Sequence, residues 1–230
     1  MAPPTPLDTV EEAIGFRFTN RNLLVEALTH SSFTAENPGA ESYERLEFLG
    51  DAVLELATTE LIFTAMEGEP EGPMTKVRAS MVDEVTLSEV ARSWKLDLAV
   101  RLGIGEERSG GRQRSSILGD VVEAVIAAVH LDGGFVEAAK VVDRTWAPIV
   151  RARLAAAHVS DSRSMLQETL AKEGRTVHFD FDRSGPDHAV LFAASAVVDG
   201  EVIGNGTGSS KKSAAIDAAG DALARLGRDQ

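Results

Sequence analysis

The residues most able to do chemistry are acids spaced along Tyr43-Glu44-Arg45-Leu46-Glu47-Phe48-Leu49-Gly50-Asp51-Ala52-Val53-Leu54-Glu55-Leu56. At about 100° per residue, Glu44, Glu47, Asp51 and Glu55 share one helical face, within about 80° of each other. An acidic stripe of this kind is ordinarily a solvated face. Here Phe48 and Leu54 flank it, and Leu46, Leu49, Val53 and Leu56 fill the remainder. A helix apolar nearly all round is expected to be largely buried. Carboxylates packed there repel each other and lose hydration, so their pKa values rise unless a cation neutralises them.

A second stretch repeats the pattern. In Asp120-Val121-Val122-Glu123-Ala124-Val125-Ile126-Ala127-Ala128-Val129 two acids stand at i and i+3 among small and apolar residues. Two such stripes facing each other make an oxygen-only donor set, which suits Mg²⁺ or Mn²⁺ better than zinc. A di-iron carboxylate bundle competes, but it needs Glu-x-x-His on two helices. Three residues after Glu44, Glu47 and Glu123 stand Glu47, Gly50 and Ile126, so the histidine is missing each time.

The elements that must hold these acids are helical. Apolar residues at three- and four-residue spacing predict helices over 7–14, 22–29, 43–64, 75–94, 117–131 and 135–154. Breaks fall at 34–41, in the Gly/Pro loop 68–73 and at 103–115. After a short hinge near 155–160 the pattern changes to a helix (164–173), strands at 176–183, 189–198 and 201–208, and an Ala-rich helix (209–226). Asp199-Gly200 between the last two strands is a two-residue hairpin signal. The fold class is therefore an all-α domain, residues 1–155, followed by a small α+β domain of α-β-β-β-α order, residues 160–228.

Composition sets the limits. The chain has 230 residues, 43% hydrophobic and 26% charged, as expected for a folded protein of one to two domains. No cysteine is present, which excludes disulfides, thiolate metal sites and a cysteine nucleophile. No signal-like segment or membrane-length apolar run is seen, and a cytoplasmic location is expected. Net charge is −13, which argues against a protein that grips phosphate polymers by diffuse attraction.

The run Glu44-Arg45-Leu46-Glu47-Phe48-Leu49-Gly50-Asp51-Ala52-Val53-Leu54 resembles the signature of the ribonuclease III family, unbroken over eleven residues. Thr29-His30-Ser31-Ser32, Arg78-Ala79 with Leu87, Gly110-Gly111-Arg112 with Ser116-Ile117-Leu118, and Asp120 to Ala124 with Leu131-Asp132-Gly133-Gly134 resemble it too. Tyr43 stands where Asn is common in that family, and Gly119 and Ala127 where Ala and Gly are usual; no carboxylate is lost. The resemblance implies a dimeric, Mg²⁺-dependent endonuclease that cuts both strands of double-stranded RNA, Mn²⁺ being a substitute metal. It leaves 5′-phosphate and 3′-hydroxyl ends with short 3′ overhangs, and ribosomal and other structured RNA precursors are its usual substrates. By the same resemblance Glu47, Asp51, Asp120 and Glu123 are the metal-site acids, Asp51 and Glu123 being the most critical. Glu44 shapes the site nearby.

The carboxyl-terminal module resembles a double-stranded RNA-binding domain, through Ser164-Met165-Leu166-Gln167-Glu168, Gly185-Pro186-Asp187-His188 and Gly206-Thr207-Gly208-Ser209-Ser210-Lys211-Lys212-Ser213-Ala214-Ala215. Ser209 or Ser210 can cap the last helix, leaving free N–H groups beside two lysines. Carried over, Gln167 and Glu168 face one minor groove, Pro186 and His188 enter the next, and Lys211 and Lys212 hold the phosphates between. Thr176-Val177-His178-Phe179 replaces the usual Pro-x-Tyr, and Ala215 stands at a position commonly Glu. Residues 156–230 carry 8 Lys+Arg against 11 Asp+Glu, so weak, salt-sensitive RNA retention is expected. Arg101, Arg108, Arg112 and Arg114 are the basic residues expected to meet RNA near Asp120. His30, His130, His158 and His178 show no ligand-like spacing and read as structural or solvated.

Two other functions compete. A catalytically silent dimer that binds duplex RNA would be signalled by loss of one of the four acids, and all are present. A helical phosphohydrolase of small nucleotides would be signalled by activity on nucleotides and none on duplex RNA.

Overall fold

A computed structural model of the chain describes residues 5–186 and 190–226, with the backbone alone at 156–161. The chain divides into two compact units, one ending at Arg151 and the other beginning at Ala152.

The first unit is helical throughout. It contains α1 (Pro6–Ile14), α2 (Arg21–Ala27), α3 (Ser31–Glu36), α4 (Glu44–Ala65), α5 (Glu71–Met81), α6 (Glu84–Ser93), α7 (Leu96–Ala99), α8 (Ile104–Arg108), a 3-10 turn (Gly111–Gln113), α9 (Ser115–Gly133) and the start of α10 (Phe135–Lys172). Helix α9 is the axis of the core. Its Val121, Val122 and the run from Ala124 to Val129 are fully buried, and α4, α6 and α2 pack around it. Its small side chains let its neighbours approach closely.

The closest approach is at Gly50 of α4. A methyl group added there would lie 1.8 Å from the backbone carbonyl oxygen of Glu123. Glycine inside a helix costs about 1 kcal/mol relative to alanine. The expected effect of Gly50→Ala is nevertheless destabilisation by about 3 kcal/mol, because the backbones of two helices must separate. A thermal melt of the variant checks this; a melt unchanged from the parent would show that the contact is not needed.

Several boundaries differ from the sequence reading. The helix expected over 75–94 is two, since Asp83 accepts a hydrogen bond from the Thr86 N–H (2.7 Å) and starts α6 afresh. The break at 34–41 begins inside α3, and that at 103–115 holds all of α8 and the 3-10 turn. The loop at 68–73 ends early, with Pro73 in the first turn of α5, where no N–H is required. The expected hinge near 155–160 is helical backbone, and α10 is one helix of 38 residues. Residues 151–157 contain neither glycine nor proline and are rich in strong helix formers.

Helix α4 is also less buried than its composition suggests. Leu46, Val53, Leu54, Ala57 and Ile62 are buried, but Phe48 is 84% exposed, Leu56 50% and Phe63 69%. Ala52 is exposed as well, so an apolar stripe runs along the outer face beside the acidic one.

The second unit holds the end of α10, the antiparallel sheet β1 (Val177–Ser184), β2 (Leu191–Val198) and β3 (Glu201–Gly208) in that order, and α11 (Lys211–Leu226). Asp199 and Gly200 have φ of 53° and 82°, the two-residue turn that matches the twist of a hairpin, with Val198 opposite Glu201. Leu166, Leu170, Val177, Ala194, Ala196 and Val198 form its core with Ala214, Ala218, Ala219 and Ala222 of α11. Gly204, Gly206 and Gly208 alternate along β3. At the first two a methyl group would lie 2.4 and 2.1 Å from backbone atoms of Ala218. Glycine facing alanine thus brings the helix down onto the strand. The expected fold class, a helical domain followed by α-β-β-β-α, is the observed one.

Candidate active site

The Gly50 contact puts the first half of α4 against the middle of α9, and both acidic stripes meet there. Glu47, Asp120 and Glu123 are half-buried; Asp51 and Glu44 are exposed. Each acid lies in the field of the others. Burial, then Asp51, Asp120 and Glu47, push the Glu123 carboxyl up to about 8. Burial, then Asp120, Glu44 and Asp51, raise Glu47. Burial also raises Asp120, opposed by the Tyr43 hydroxyl and by His30. The Tyr43 hydroxyl donates to Asp120 Oδ2 at 3.3 Å.

The donor set suits a hard divalent cation: four carboxylates, and among the described residues no lysine or arginine paired with Glu47, Asp51, Asp120 or Glu123. Among the same residues no three acids or histidines close around one point. Glu44 accepts from the Ser42 hydroxyl (3.0 Å) at the rim. Glu55, the last acid of the stripe, is exposed one turn beyond Asp51.

Residues 20–149 match the Ribonuclease-III-like family, and residues 162–226 match the double-stranded RNA binding motif. The chain is 42% identical over 221 residues to Ribonuclease 3 of Pelotomaculum thermopropionicum, covering 94% of this chain and 92% of that one. It belongs to the ribonuclease III family. It is also 43% identical over 211 residues to Ribonuclease 3 of Streptomyces coelicolor, covering 91% of this chain and 76% of that relative. The nuclease domain of ribonuclease III from Campylobacter jejuni superposes with a TM-score of 0.56 at 36% identity, covering 61% of this chain and 98% of that domain. That structure is described as flexible in a region involved in dimer formation.

Within this ribonuclease III family member, the second unit displays its predicted residues on exposed positions. Gln167 and Glu168 lie on the outer side of α10, Pro186 follows β1, and Lys211 and Lys212 open α11. His188 lies outside the described residues. Of the two candidate caps, Ser210 is the one used: its hydroxyl accepts from the Ser213 N–H (3.1 Å), and Ser213 Oγ accepts in return from the Ser210 N–H (3.0 Å). Lys211 Nζ stands 5.6 Å from the centre of the Phe181 ring.

Most of the arginines in the basic loop before Asp120 are engaged within the protein. Arg101 stacks on Phe33 and bonds Thr29; Arg112 pairs with Glu107 and donates to the carbonyls of Asp97 and Val100; Arg114 pairs with Glu106 at 2.7 Å. Three of the four arginines thus hold the loop that leads into α9. Sequence reasoning missed two site residues. Gly50 was read only as part of the signature, although a glycine amid large apolar residues marks close backbone approach. Tyr43 was noted only as a departure.

Proposed function

We propose that the chain is a divalent-metal-dependent endoribonuclease that cuts both strands of double-stranded RNA, leaving 5′-phosphate and 3′-hydroxyl ends with short 3′ overhangs. The observation that carries this reading is the meeting of two acidic stripes at the Gly50–Glu123 contact, where among the described residues no lysine or arginine pairs with them. Glu47, Asp51, Asp120 and Glu123 hold the cation, with Asp51 and Glu123 the most critical for catalysis and Glu44 shaping the rim. Mg²⁺ is the natural ion and Mn²⁺ a substitute, since all the donors are oxygens. When bound, the cation supplies Lewis-acid stabilisation of the anionic transition state and activates the attacking water. The protein's own part is to orient the carboxylates from two rigid helices and to keep local charge negative until the cation arrives. With a cation held there, the four carboxylates would no longer repel a polyanion entering the cleft.

The exposed stripe of Phe48, Ala52, Leu56 and Phe63 beside the site supports a homodimer built across α4, since apolar patches of this kind mark association surfaces. Structured precursors, ribosomal ones among them, are the proposed substrates, and the cytoplasm the proposed location; no helix among the described residues is long and apolar enough to cross a membrane.

Lys211 and Lys212 are proposed to hold phosphates at the capped end of α11, with Gln167, Glu168, Pro186 and His188 at the minor grooves. A Lys211→Ala/Lys212→Ala variant is expected to lose duplex affinity and to lower the slope of log K against log salt by about 2. Binding with an unchanged slope would give the module another task. The function itself is tested by end-mapping a perfect RNA duplex cut in Mg²⁺. Staggered cuts with 5′-phosphates support it; cuts confined to single-stranded RNA, or ends bearing cyclic phosphates, would overturn it.

A further inference from the structure

We propose that Tyr43 is a positioning residue for Asp120, holding that carboxylate through its phenolic O–H so that the other oxygen is presented to the cation. The inference rests on the reading of Asp120 as a metal ligand.

Residue 43 is the last before α4, a place where a polar side chain ordinarily caps the helix. Tyr43 makes no such bond: its backbone is already helical, with φ −68° and ψ −12°. Its side chain points elsewhere. The ring is 2% exposed, and the one hydrogen bond of its hydroxyl among the described residues goes to Asp120 Oδ2, 77 positions away in sequence. Its backbone is pinned as well, because the Tyr43 N–H donates to the Thr29 carbonyl at 2.8 Å. The His30 ring lies 5.7 Å away, and His30 is fixed in turn by its Nδ1, which accepts from the Ser32 N–H at 3.1 Å. The phenol is therefore rigidly aimed, and its bond crosses from the start of α4 to α9.

This bond does what the site lacks. Among the described residues Asp120 makes no salt bridge, and the acids around it are only partly offset by His30. A neutral donor steadies one oxygen without adding a positive charge that would compete with a cation. Partners one bond removed from a ligand fix its orientation, and their loss typically lowers metal affinity by about 10- to 100-fold.

The test is a double-mutant cycle on the full chain, without RNA, in which free Mn²⁺ is followed by electron paramagnetic resonance. Tyr43→Phe keeps the ring and removes the hydroxyl. Expected are a thermal melt of the metal-free protein close to the parent's and Mn²⁺ affinity about tenfold weaker. In an Asp120→Asn background, adding Tyr43→Phe is expected to change Mn²⁺ affinity no further. Equal Mn²⁺ affinity in Tyr43→Phe and parent, or an effect that persists undiminished in the Asp120→Asn background, would overturn the proposal while leaving the site standing. Failure of the parent to bind Mn²⁺, or full binding by Asp120→Asn alone, would overturn the site reading and this proposal with it.

Discussion

Glu123→Gln and Asp51→Asn are each expected to abolish cleavage of duplex RNA while leaving its binding within about twofold of the parent. Each replacement keeps the shape of the side chain and removes one negative charge from a set of four. Stabilising the charge that builds on a phosphodiester in its transition state is worth several kcal/mol to a bound cation. Losing about 4 kcal/mol of it slows the reaction roughly a thousandfold. Binding survives because the proposed phosphate contacts, Lys211 and Lys212, belong to the second unit. Initial rates on a perfect duplex, beside a filter-binding curve for each variant, separate the two effects. A variant that cleaves within tenfold of the parent would remove that residue from the site.

The second large effect is on stability. In the metal-free protein the Glu123 carboxyl is raised, chiefly by burial and then by Asp51, Asp120 and Glu47, to about 8. An unfolded chain releases that proton near pH 4.5, so between pH 4.5 and 8 the folded state binds more protons than the unfolded one. Stability is therefore fullest below about pH 4.5 as far as this group is concerned, and it is lost as pH rises through about 8. Glu123→Gln removes the slope. Allowing for solvent screening of a half-buried group, the gain at pH 8 is about 1–2 kcal/mol, a rise in melting temperature of roughly 2–8 °C. Saturating Mg²⁺ is expected to reverse the order, because on the proposed assignment only the parent keeps all four carboxylates for the ion and gains the binding energy. Melts of parent and variant at pH 5 and pH 8, each with Mg²⁺ and with EDTA, check all four combinations. A variant less stable than the parent at pH 8 in EDTA would contradict the account of repelling carboxylates.

Much of this was legible in the sequence because the acids sit at helical spacing among apolar residues. The 3.6-residue period located α4 and α9, and the alternation with Asp199-Gly200 located the hairpin, whose positive φ angles follow from those two residues. What stayed hidden depends on pairing between distant segments. That Gly50 meets Glu123, or that Tyr43 reaches Asp120, is set by the packing of α4 on α9, and no local signal specifies it. The outer face of α4 misled for a related reason: periodicity shows that a helix is apolar all round, not which side a single copy leaves uncovered.

The meaning of the net charge changed most. Residues 1–155 carry 15 Lys+Arg against 25 Asp+Glu. Some of those acids build structure. Glu11, 2% exposed, pairs with Arg17 and Arg21; Asp132 accepts from the N–H groups of Thr19 and Asn20; Glu36 accepts from that of Ile104 at the start of α8. In the second unit Asp217 and Asp221 accept from the outward N–H groups of Thr207 and Asn205, closing the free edge of β3. Net charge argues only against diffuse attraction of phosphate polymers, because it counts every carboxylate as solvated and repulsive.

The central claim is that the acids of α4 and α9 act through a divalent cation, and removing the cation tests it most directly. The full chain, freed of metal and incubated with a perfect RNA duplex in EDTA, is predicted to cut nothing, and added Mg²⁺ or Mn²⁺ to restore cleavage. Undiminished cleavage in EDTA would contradict it.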